Sequence, residues 1–288
     1  MAVNYYSKDL ISNLIASLAE GVASSYQLLI VNNSPEEASI HDLASNCITI
    51  IESGENLGFG RACNLGIQYA WQQSPQSLVW LINPDATLDA QADEFVQSCF
   101  STHQSLAILG TQIRNTTGEI WFSAGEFNRW TGYINHRIAQ PDDESNTNSL
   151  SSTAWVSGCS LILNLARFRE CPSFDPAYFL YFEDADLCER YTRQGYHLAI
   201  TSKALVTHQV SAIIGKNVRF MFEHYTFGRL LFLWRYATFP GFSLYFLYLV
   251  LKILRLLPQH PDNARGRWQG MTRFLTRRSL SSDPIGQP

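Results

Sequence analysis

Three stretches of this 288-residue chain carry side chains that could do chemistry. The first is Leu78-Val79-Trp80-Leu81-Ile82-Asn83-Pro84-Asp85, five apolar residues that run into one carboxylate. Such a run suits a strand covered on both faces. Pro84 ends it, because it has no N–H for a ladder and pushes Asn83 toward an extended conformation. Asp85 is then presented just past the carboxyl end of a central strand, the edge where ligands sit in open α/β sheets. There it could hold a divalent metal and, through the metal, a diphosphate. The same Asn-Pro-Asp sequence is also a common turn device.

The second stretch is Glu183-Asp184-Ala185-Asp186, three carboxylates at a helix start. A helix N-terminus favours negative charge, which by itself accounts for acids there. The preceding Tyr178-Phe179-Leu180-Tyr181-Phe182 is apolar, however, and would hold these acids near a pocket. Such a setting raises a carboxylate pKa and lets it act as a base near neutral pH. The third is His208 at the end of an apolar strand, either a ligand or a packed side chain. The segment 55–66 adds Gly58-Phe59-Gly60-Arg61 without a third glycine, since Asn64 stands in its place. As a dinucleotide fingerprint it is weak; as a loop bringing backbone N–H groups and Arg61 toward a phosphate it is reasonable. No zinc-type cluster and no nucleophile elbow occurs, because Ser157-Gly158 lacks the preceding Gly-x.

The elements that must position these residues alternate. A short strand at 3–6 precedes a helix at 8–19, capped by Ser7 and stopped by Gly21. Strands at 27–31 and 47–51 follow, then a helix to about residue 72, the 78–85 strand, and a helix at about 89–101 with Asp89 as its cap. This β–α–β–α rhythm implies a mostly parallel sheet with right-handed crossovers. After residue 105 a hairpin reads at 106–113 and 119–123 around Thr116-Thr117-Gly118. Residues 139–153 are polar, a lid or a disordered loop. A strand at 155–163, a helix to about Gln194 that Gly195 terminates, and strands at 196–201 and 204–207 lead to His208.

Composition is globular, with 46% hydrophobic and 16% charged residues, and the length allows one substantial core plus an appendage. The six cysteines are scattered without C-x-x-C, as in a reduced, cytosolic protein, and the start has no apolar signal region. Charge is asymmetric. Residues 203–278 hold 12 Lys/Arg against Glu223 and Asp262, while the remainder holds 9 against 23 acids. A basic tail on an acidic body should meet something anionic; it is too apolar for nucleic acid.

Taken in order, Asn56-Leu57-Gly58-Phe59-Gly60-Arg61-Ala62-Cys63-Asn64-Leu65-Gly66-Ile67, Leu81-Ile82-Asn83-Pro84-Asp85, the run from Phe174 to Arg190, and His208 resemble the family 2 glycosyltransferases, within them the rhamnosyltransferase-like branch. The resemblance covers roughly residues 3–210. It implies a GT-A fold, a nucleotide-sugar donor, Mg²⁺ or Mn²⁺, and inversion at the anomeric carbon. It places Asp85 at the second acid of the family's D-x-D, with Asn83 in place of the first, Asp184 at the general base, and His208 at a further metal ligand. Asn4, Asn32, Asn56 and Arg61 fall where the nucleotide is cradled. Two departures stand out. The chain begins inside the usual first strand, and Asn32 sits where an Asp commonly meets the nucleobase. The missing Q-x-x-R-W motif favours one sugar per encounter.

Mg²⁺ or Mn²⁺ would offset the leaving diphosphate's charge, and one base on the opposite face would deprotonate the acceptor. Glu183 and Asp186 would orient the acceptor or the helix; Trp155 and Tyr181 would stack on sugar or pack in the core. The expected organisation is a catalytic domain at 1–212, with a nucleotide-sugar half to about 104, and a helical basic region at 213–288. In that tail, 239–251 is apolar but interrupted by Pro240-Gly241 and then Lys252 and Arg255, too short to span a bilayer. Helices over 218–257 would lie on a membrane or pack on the domain, with Arg265, Arg267, Arg273, Arg277 and Arg278 meeting anionic headgroups. The expectation is a rhamnose transfer from dTDP-rhamnose to a glycan acceptor, polyprenyl-linked, at the cytoplasmic face of the inner membrane. Its rivals are a UDP-hexose or UDP-galactofuranose donor, a non-catalytic sugar-binding subunit, and an NAD-dependent enzyme.

Overall fold

The computed structural model describes residues 1–138, 150–209 and 217–280, with side chains to 276. The chain forms two compact units. The first comprises Met1–Phe127, Ile134–Phe179 and Glu183–Ile213. Its N-terminal half is the expected parallel sheet: β1 (Ala2–Asn4), β2 (Leu28–Asn32) and β3 (Ile48–Glu52), paired in parallel in that order. The crossovers are α1 (Lys8–Gly21) and a 3₁₀ turn at Ala38–Leu43, and α2 (Phe59–Gln73) leads on to β4 (Leu78–Ile82). β4 joins β1 through the Ile82 N–H, which donates to the Met1 carbonyl at 3.0 Å.

Beyond β4 the sheet is mixed. β5 (Ala86–Leu88) and α3 (Ala92–Thr102) precede β6 (Leu106–Asn115) and β7 (Ile120–Phe122), the predicted hairpin, with Gly118 in the left-handed region at its turn. β8 (Ala124–Asn128) pairs with β9 (Tyr133–Arg137). Short β10 (Leu150–Ser151), β11 (Ser160–Asn164), α4 (Glu183–Arg193) and β12 (His197–His208) complete the unit. The order β10-β12-β6-β11-β4 puts β11 antiparallel between β4 and β6, and β12 parallel to β6. Leu81, Ile108, Leu109, Leu161, Ile162 and Leu163 fill the centre with almost no exposure. The lid reading of 139–153 falls largely on 139–149, outside the described residues.

Four local expectations are corrected. Ser7 precedes α1 but does not cap it; its Oγ donates to Asn4 Oδ1 at 2.9 Å. α3 starts at Ala92, not Asp89, behind Gln91 in the left-handed region, and Asp89 pairs with Arg114 instead. Residues 155–159 are not strand, because Trp155 turns its carbonyl to the Gly125 N–H at 3.1 Å, and β11 begins at Ser160. The two strands expected at 196–207 are one, with an irregular register between Ile200 and Ala204.

The second unit gathers Asn128–Tyr133, Leu180–Phe182 and the chain from Ile214 onward. It is helical, as expected: α5 (Val218–Tyr236), α6 (Phe239–Leu256) and α7 (Pro261–Leu280). Asn217 and Thr238 cap α5 and α6 with side-chain bonds to the N–H groups of Phe220 and Gly241. Pro240 therefore does not interrupt the apolar run. It sits in the first turn of α6, where a missing N–H costs nothing. The helix runs unbroken through Lys252 and Arg255, and by length and composition alone α6 reaches what a membrane span needs.

Candidate active site

Asn83 leaves β4 with its N–H donated to the Cys159 carbonyl at 3.1 Å, and Asp85 accepts the Gln209 N–H on its own carbonyl at 2.9 Å. β5 then pairs antiparallel with the end of β12, placing Ala86 opposite His208. Two residues 123 positions apart thereby meet: His208 Nε2 lies 3.0 Å from Asp85 Oδ1. Both side chains are nearly buried, 9% and 6% exposed. Neighbouring corners of an octahedral site with ligands at about 2.1 Å are about 3.0 Å apart, so the pair fits two adjacent ligands of one divalent ion. Among the described residues no group of three or more His, Cys, Asp or Glu could hold a metal. Among those residues, Asp85 and His208 would give a divalent ion two ligands, leaving the remaining positions for the oxygens of a diphosphate and water. A ligating histidine usually donates its second N–H to an acceptor, yet His208 Nδ1 is buried without a hydrogen-bond partner. The Trp121 ring, 5.0 Å away by centroids, packs against the imidazole instead.

The Asp184 carboxylate forms the second station. Its Oδ2 accepts the Gly158 N–H at 3.0 Å and its Oδ1 the Ala185 N–H at 2.8 Å, the latter a bond of the first turn of α4. Gly158 gives room at this approach: a β-carbon would stand 2.9 Å from the Phe59 ring, which would have to shift. Burial raises the Asp184 pKa, opposed by these N–H groups. Glu183 is 5% exposed and its Oε2 has no hydrogen-bond partner. Burial first, then the Asp184 charge, pushes it well above the carboxylate range. Both pKa values are raised by burial, and the Gly158 and Ala185 N–H groups act against that rise at Asp184. Asp186 does neither job. It is fully buried, pairs with Arg190 at 3.2 Å, and Arg190 donates to the Ser173 carbonyl at 2.7 Å. Of its two expected uses, it serves the helix rather than an acceptor.

The Gly158–Cys159 backbone links the two stations: the Gly158 N–H goes to Asp184 Oδ2 at 3.0 Å, and the Cys159 carbonyl accepts the N–H of Asn83, two residues before Asp85, at 3.1 Å. In the other unit, the tripeptide before α4 is held in a costly shape: Tyr181 and Phe182 have φ of 68° and 70°. Non-glycine residues there cost on the order of 1–3 kcal/mol each and recur at functional sites. Tyr225 packs on both rings, at 5.8 and 5.2 Å, and a β-carbon at Gly228 would lie 2.6 Å from the Tyr181 carbonyl. Tyr181 is thus engaged by aromatic packing, the core alternative to sugar stacking.

The proposed nucleotide cradle is mostly internal. Asn4 is fully buried, and its Nδ2 donates to Asn32 Oδ1, Ser34 Oγ and Glu37 Oε2 at 3.0, 3.1 and 2.8 Å. Asn32, 1% exposed, donates to both Glu52 oxygens at 3.1 Å. These amides fix the ends of β1, β2 and β3 rather than face a ligand. The exposed groups beside them are Tyr5, Tyr6 and Glu52. The glycine loop is also engaged: the N–H groups of Leu57, Gly58 and Phe59 go to Asn33 Oδ1, Asn56 Oδ1 and the Phe179 carbonyl. No phosphate cradle is formed by those three. Gly58 is required there, with φ of 79° and a would-be β-carbon 2.2 Å from the Phe179 oxygen. Asn56 and Arg61 remain exposed, Arg61 only 3.8 Å from Glu55. Trp155 packs on Phe122, 5.1 Å between ring centroids, so the core alternative accounts for much of it.

Sequence reasoning missed Trp121, Cys159 and Glu52. Glu52 is one residue past the expected strand 47–51; the other two give no spacing signal, because Trp121 meets His208 only through the pairing of β7 with β6 and of β6 with β12, and Cys159 meets Asn83 only where β11 pairs with β4.

No family model matches the chain. It is 26% identical over 202 residues to the low-salt glycan biosynthesis hexosyltransferase Agl10 of Haloferax volcanii, covering 68% of this chain and 62% of that protein. It is 23% identical over 244 residues to an N-acetylglucosaminyl-diphospho-decaprenol L-rhamnosyltransferase of Mycobacterium tuberculosis, covering 75% and 77%. Among solved structures, GalNAc-T7 with UDP, GalNAc and Mn²⁺ superposes with TM-score 0.57 at 10% identity, over 72% of this chain and 43% of that one. Staphylococcus aureus TarS 1–349 gives 0.52 at 13%, over 99% and 72%. The mannosyltransferase PcManGT of Pyrobaculum calidifontis, solved with GDP-Man and Mn²⁺, gives 0.51 at 12%, over 98% and 75%. The chain has the GT-A glycosyltransferase fold, and the curated proteins related to it in sequence are glycosyltransferases.

Proposed function

We propose that this chain is a metal-dependent, inverting glycosyltransferase that adds one sugar per encounter. The observation that carries the reading is the Asp85–His208 pair together with the Asp184 carboxylate, connected through the hydrogen bonds of the Gly158–Cys159 backbone to Asp184 and Asn83. Asp85 and His208 would hold Mg²⁺ or Mn²⁺ beside the donor diphosphate, where the ion acts as a Lewis acid on the leaving group. One imidazole ligand favours Mn²⁺ over Mg²⁺. Asp184 would take the acceptor proton, its basicity raised by burial and its orientation set by Gly158 and Ala185. Glu183, holding its own proton, keeps a second negative charge out of the site. Rhamnose from dTDP-rhamnose is the donor we favour, supported by the mycobacterial relative; that relative also supports a polyprenyl-linked acceptor. A UDP-hexose or UDP-galactofuranose is the variant.

Calorimetry with dTDP-rhamnose, UDP-sugars and GDP-mannose, each with and without Mn²⁺, tests this. One donor should bind, and only with metal. If none binds under any condition, the non-catalytic subunit is the better reading; if NAD(H) binds and metal is irrelevant, the dehydrogenase rival is. Contact with an anionic membrane, at its cytoplasmic face, belongs to the same proposal.

A further inference from the structure

α6 is apolar on two faces but packed on one. Gly241, Tyr245, Leu249 and Ile253 are buried at the spacing of one helical stripe, Gly241 against the backbone of residues 129–132, and the helix packs on α5 and α7. Leu244, Leu247, Tyr248, Leu251 and Leu254 form the opposite stripe and are 52–62% exposed. A helix apolar all round requires cover on all sides. The exposed stripe continues into a groove of about 520 Å³ between α6 and α7, whose wall includes Val250, Leu254, Leu257, Trp268 and Met271. Trp268 is 54% exposed. Arg219 and Arg265 also line it; Arg219 is fixed by Gln269 at 2.7 Å, and Arg265 lies 3.7 Å from Asp262.

We infer that this face docks in the plane of an anionic bilayer, with the α6 stripe in the interface and one lipid chain in the α6/α7 groove beneath its phosphate on Arg219 and Arg265. This deepens the membrane contact proposed above and is independent of the donor and of Asp184. The basic set differs from the one the tail sequence suggested. Arg267 is 6% exposed and lies 4.2 Å over the Phe222 ring, and Arg273 lies 4.6 Å over Phe227, so both hold α7 to α5. The side chains of Arg277 and Arg278 are outside the described residues. Arg219, Arg255 and Arg265 are the exposed cations of this region.

Charge selects the occupant. Residues 217–276 carry eight basic side chains against Glu223 and Asp262. A second copy would present the same sign and repel, whereas anionic headgroups attract. A spanning orientation of α6 conflicts with its buried stripe, which α5 and α7 already occupy. Aromatic and basic residues flanking an apolar stripe suit a helix lying in the interface.

The test is flotation of the full chain with phosphatidylcholine vesicles, with and without one third phosphatidylglycerol, and with vesicles carrying bromine on the acyl chains. We expect flotation with the anionic vesicles, weakened by salt, and reduced about tenfold or more by Leu254→Glu, which puts a charge where apolar area should be buried. Arg265→Glu should reduce it less. Acyl-chain bromine should quench part of the tryptophan emission, and Trp268→Phe should remove that part. The inference is overturned if the chain does not float, if Leu254→Glu floats like the parent, or if Trp268→Phe leaves the quenching unchanged. It is also overturned if lipid-free parent is a dimer that Leu254→Glu makes monomeric, which would make the face a self-association surface. Because Leu254 is surface-exposed, an unchanged thermal transition verifies the variant's fold. Absence of donor binding with flotation intact would remove the transferase reading alone.

Discussion

Replacing Asp184 by asparagine removes the proposed base at almost constant shape. In the parent both carboxylate oxygens accept backbone N–H bonds, from Gly158 at 3.0 Å and Ala185 at 2.8 Å. Asparagine keeps one acceptor and turns an NH₂ toward the other N–H, so about one hydrogen bond is lost, worth on the order of 1 kcal/mol or somewhat more. Against this, burial disfavours the Asp184 charge, and the neutral amide avoids that penalty. The two effects oppose each other, and stability should move by no more than about 1 kcal/mol. Turnover should move far more, because a positioned general base contributes about 100- to 10,000-fold, roughly 3–5 kcal/mol of barrier. The assay is release of nucleoside diphosphate from whichever donor calorimetry identifies, with water standing in for the acceptor hydroxyl. Asp184→Asn should keep donor affinity within about threefold, lose the rate, and lose the rise of rate with pH that the raised carboxylate sets. A loss of less than tenfold, or a parallel loss of donor affinity with the thermal transition unchanged, would refute the base assignment.

Three further outcomes follow from the same geometry. Asp85→Ala should abolish the Mn²⁺-dependent part of donor binding while leaving any metal-free binding; unchanged affinity in Mn²⁺ titrations removes the metal role. Glu183→Gln should be stabilising at neutral and alkaline pH. Its folded pKa is raised, so the native state binds more protons than the unfolded one, and the parent loses stability as pH rises from about 4.3 toward the folded value. Denaturant midpoints across pH should show that slope, on the order of 1–3 kcal/mol in total, diminished in the variant; equal slopes would contradict it. Asn32→Asp, which restores the acid common at this position in the resembled family, should destabilise by roughly 3 kcal/mol or more, because it sets a buried carboxylate against Glu52. Chemical denaturation measures it, and a neutral result would mean that the amide network does not hold the strand ends.

Much of the architecture was legible in local pattern. The β–α rhythm to residue 102, the helix from Glu183 that Gly195 ends, the hairpin around 116–118 and the helical tail all follow from periodicity and turn residues, whose physics is local. The structure departs from local pattern where a side chain has a competing partner: Ser7, placed to cap α1, bonds Asn4 three residues before it, and Asp89, placed to cap α3, pairs with Arg114. Pro240 was read as a break because its place in the first turn depends on where α6 begins.

For the site, the sequence by itself determined the reactive residue types and their attachment to strand and helix ends: Asp85 after β4, Asp184 in the first turn of α4, His208 at the end of β12. Tertiary structure alone decided three things. β5 pairing with β12 brought Asp85 and His208 to 3.0 Å, a contact set by strand register and invisible at a separation of 123 residues. Burial and contacts separated the four acids: Asp85 lies against His208, Asp184 accepts two backbone N–H groups, Glu183 is buried with one oxygen unpartnered, and Asp186 pairs with Arg190, because desolvation and N–H donors act through space. Packing also divided the basic tail, sending Arg267 and Arg273 onto aromatic rings and leaving Arg219, Arg255 and Arg265 at the surface. Charge is a property of composition, but which charges meet solvent depends on the helix faces that the fold covers.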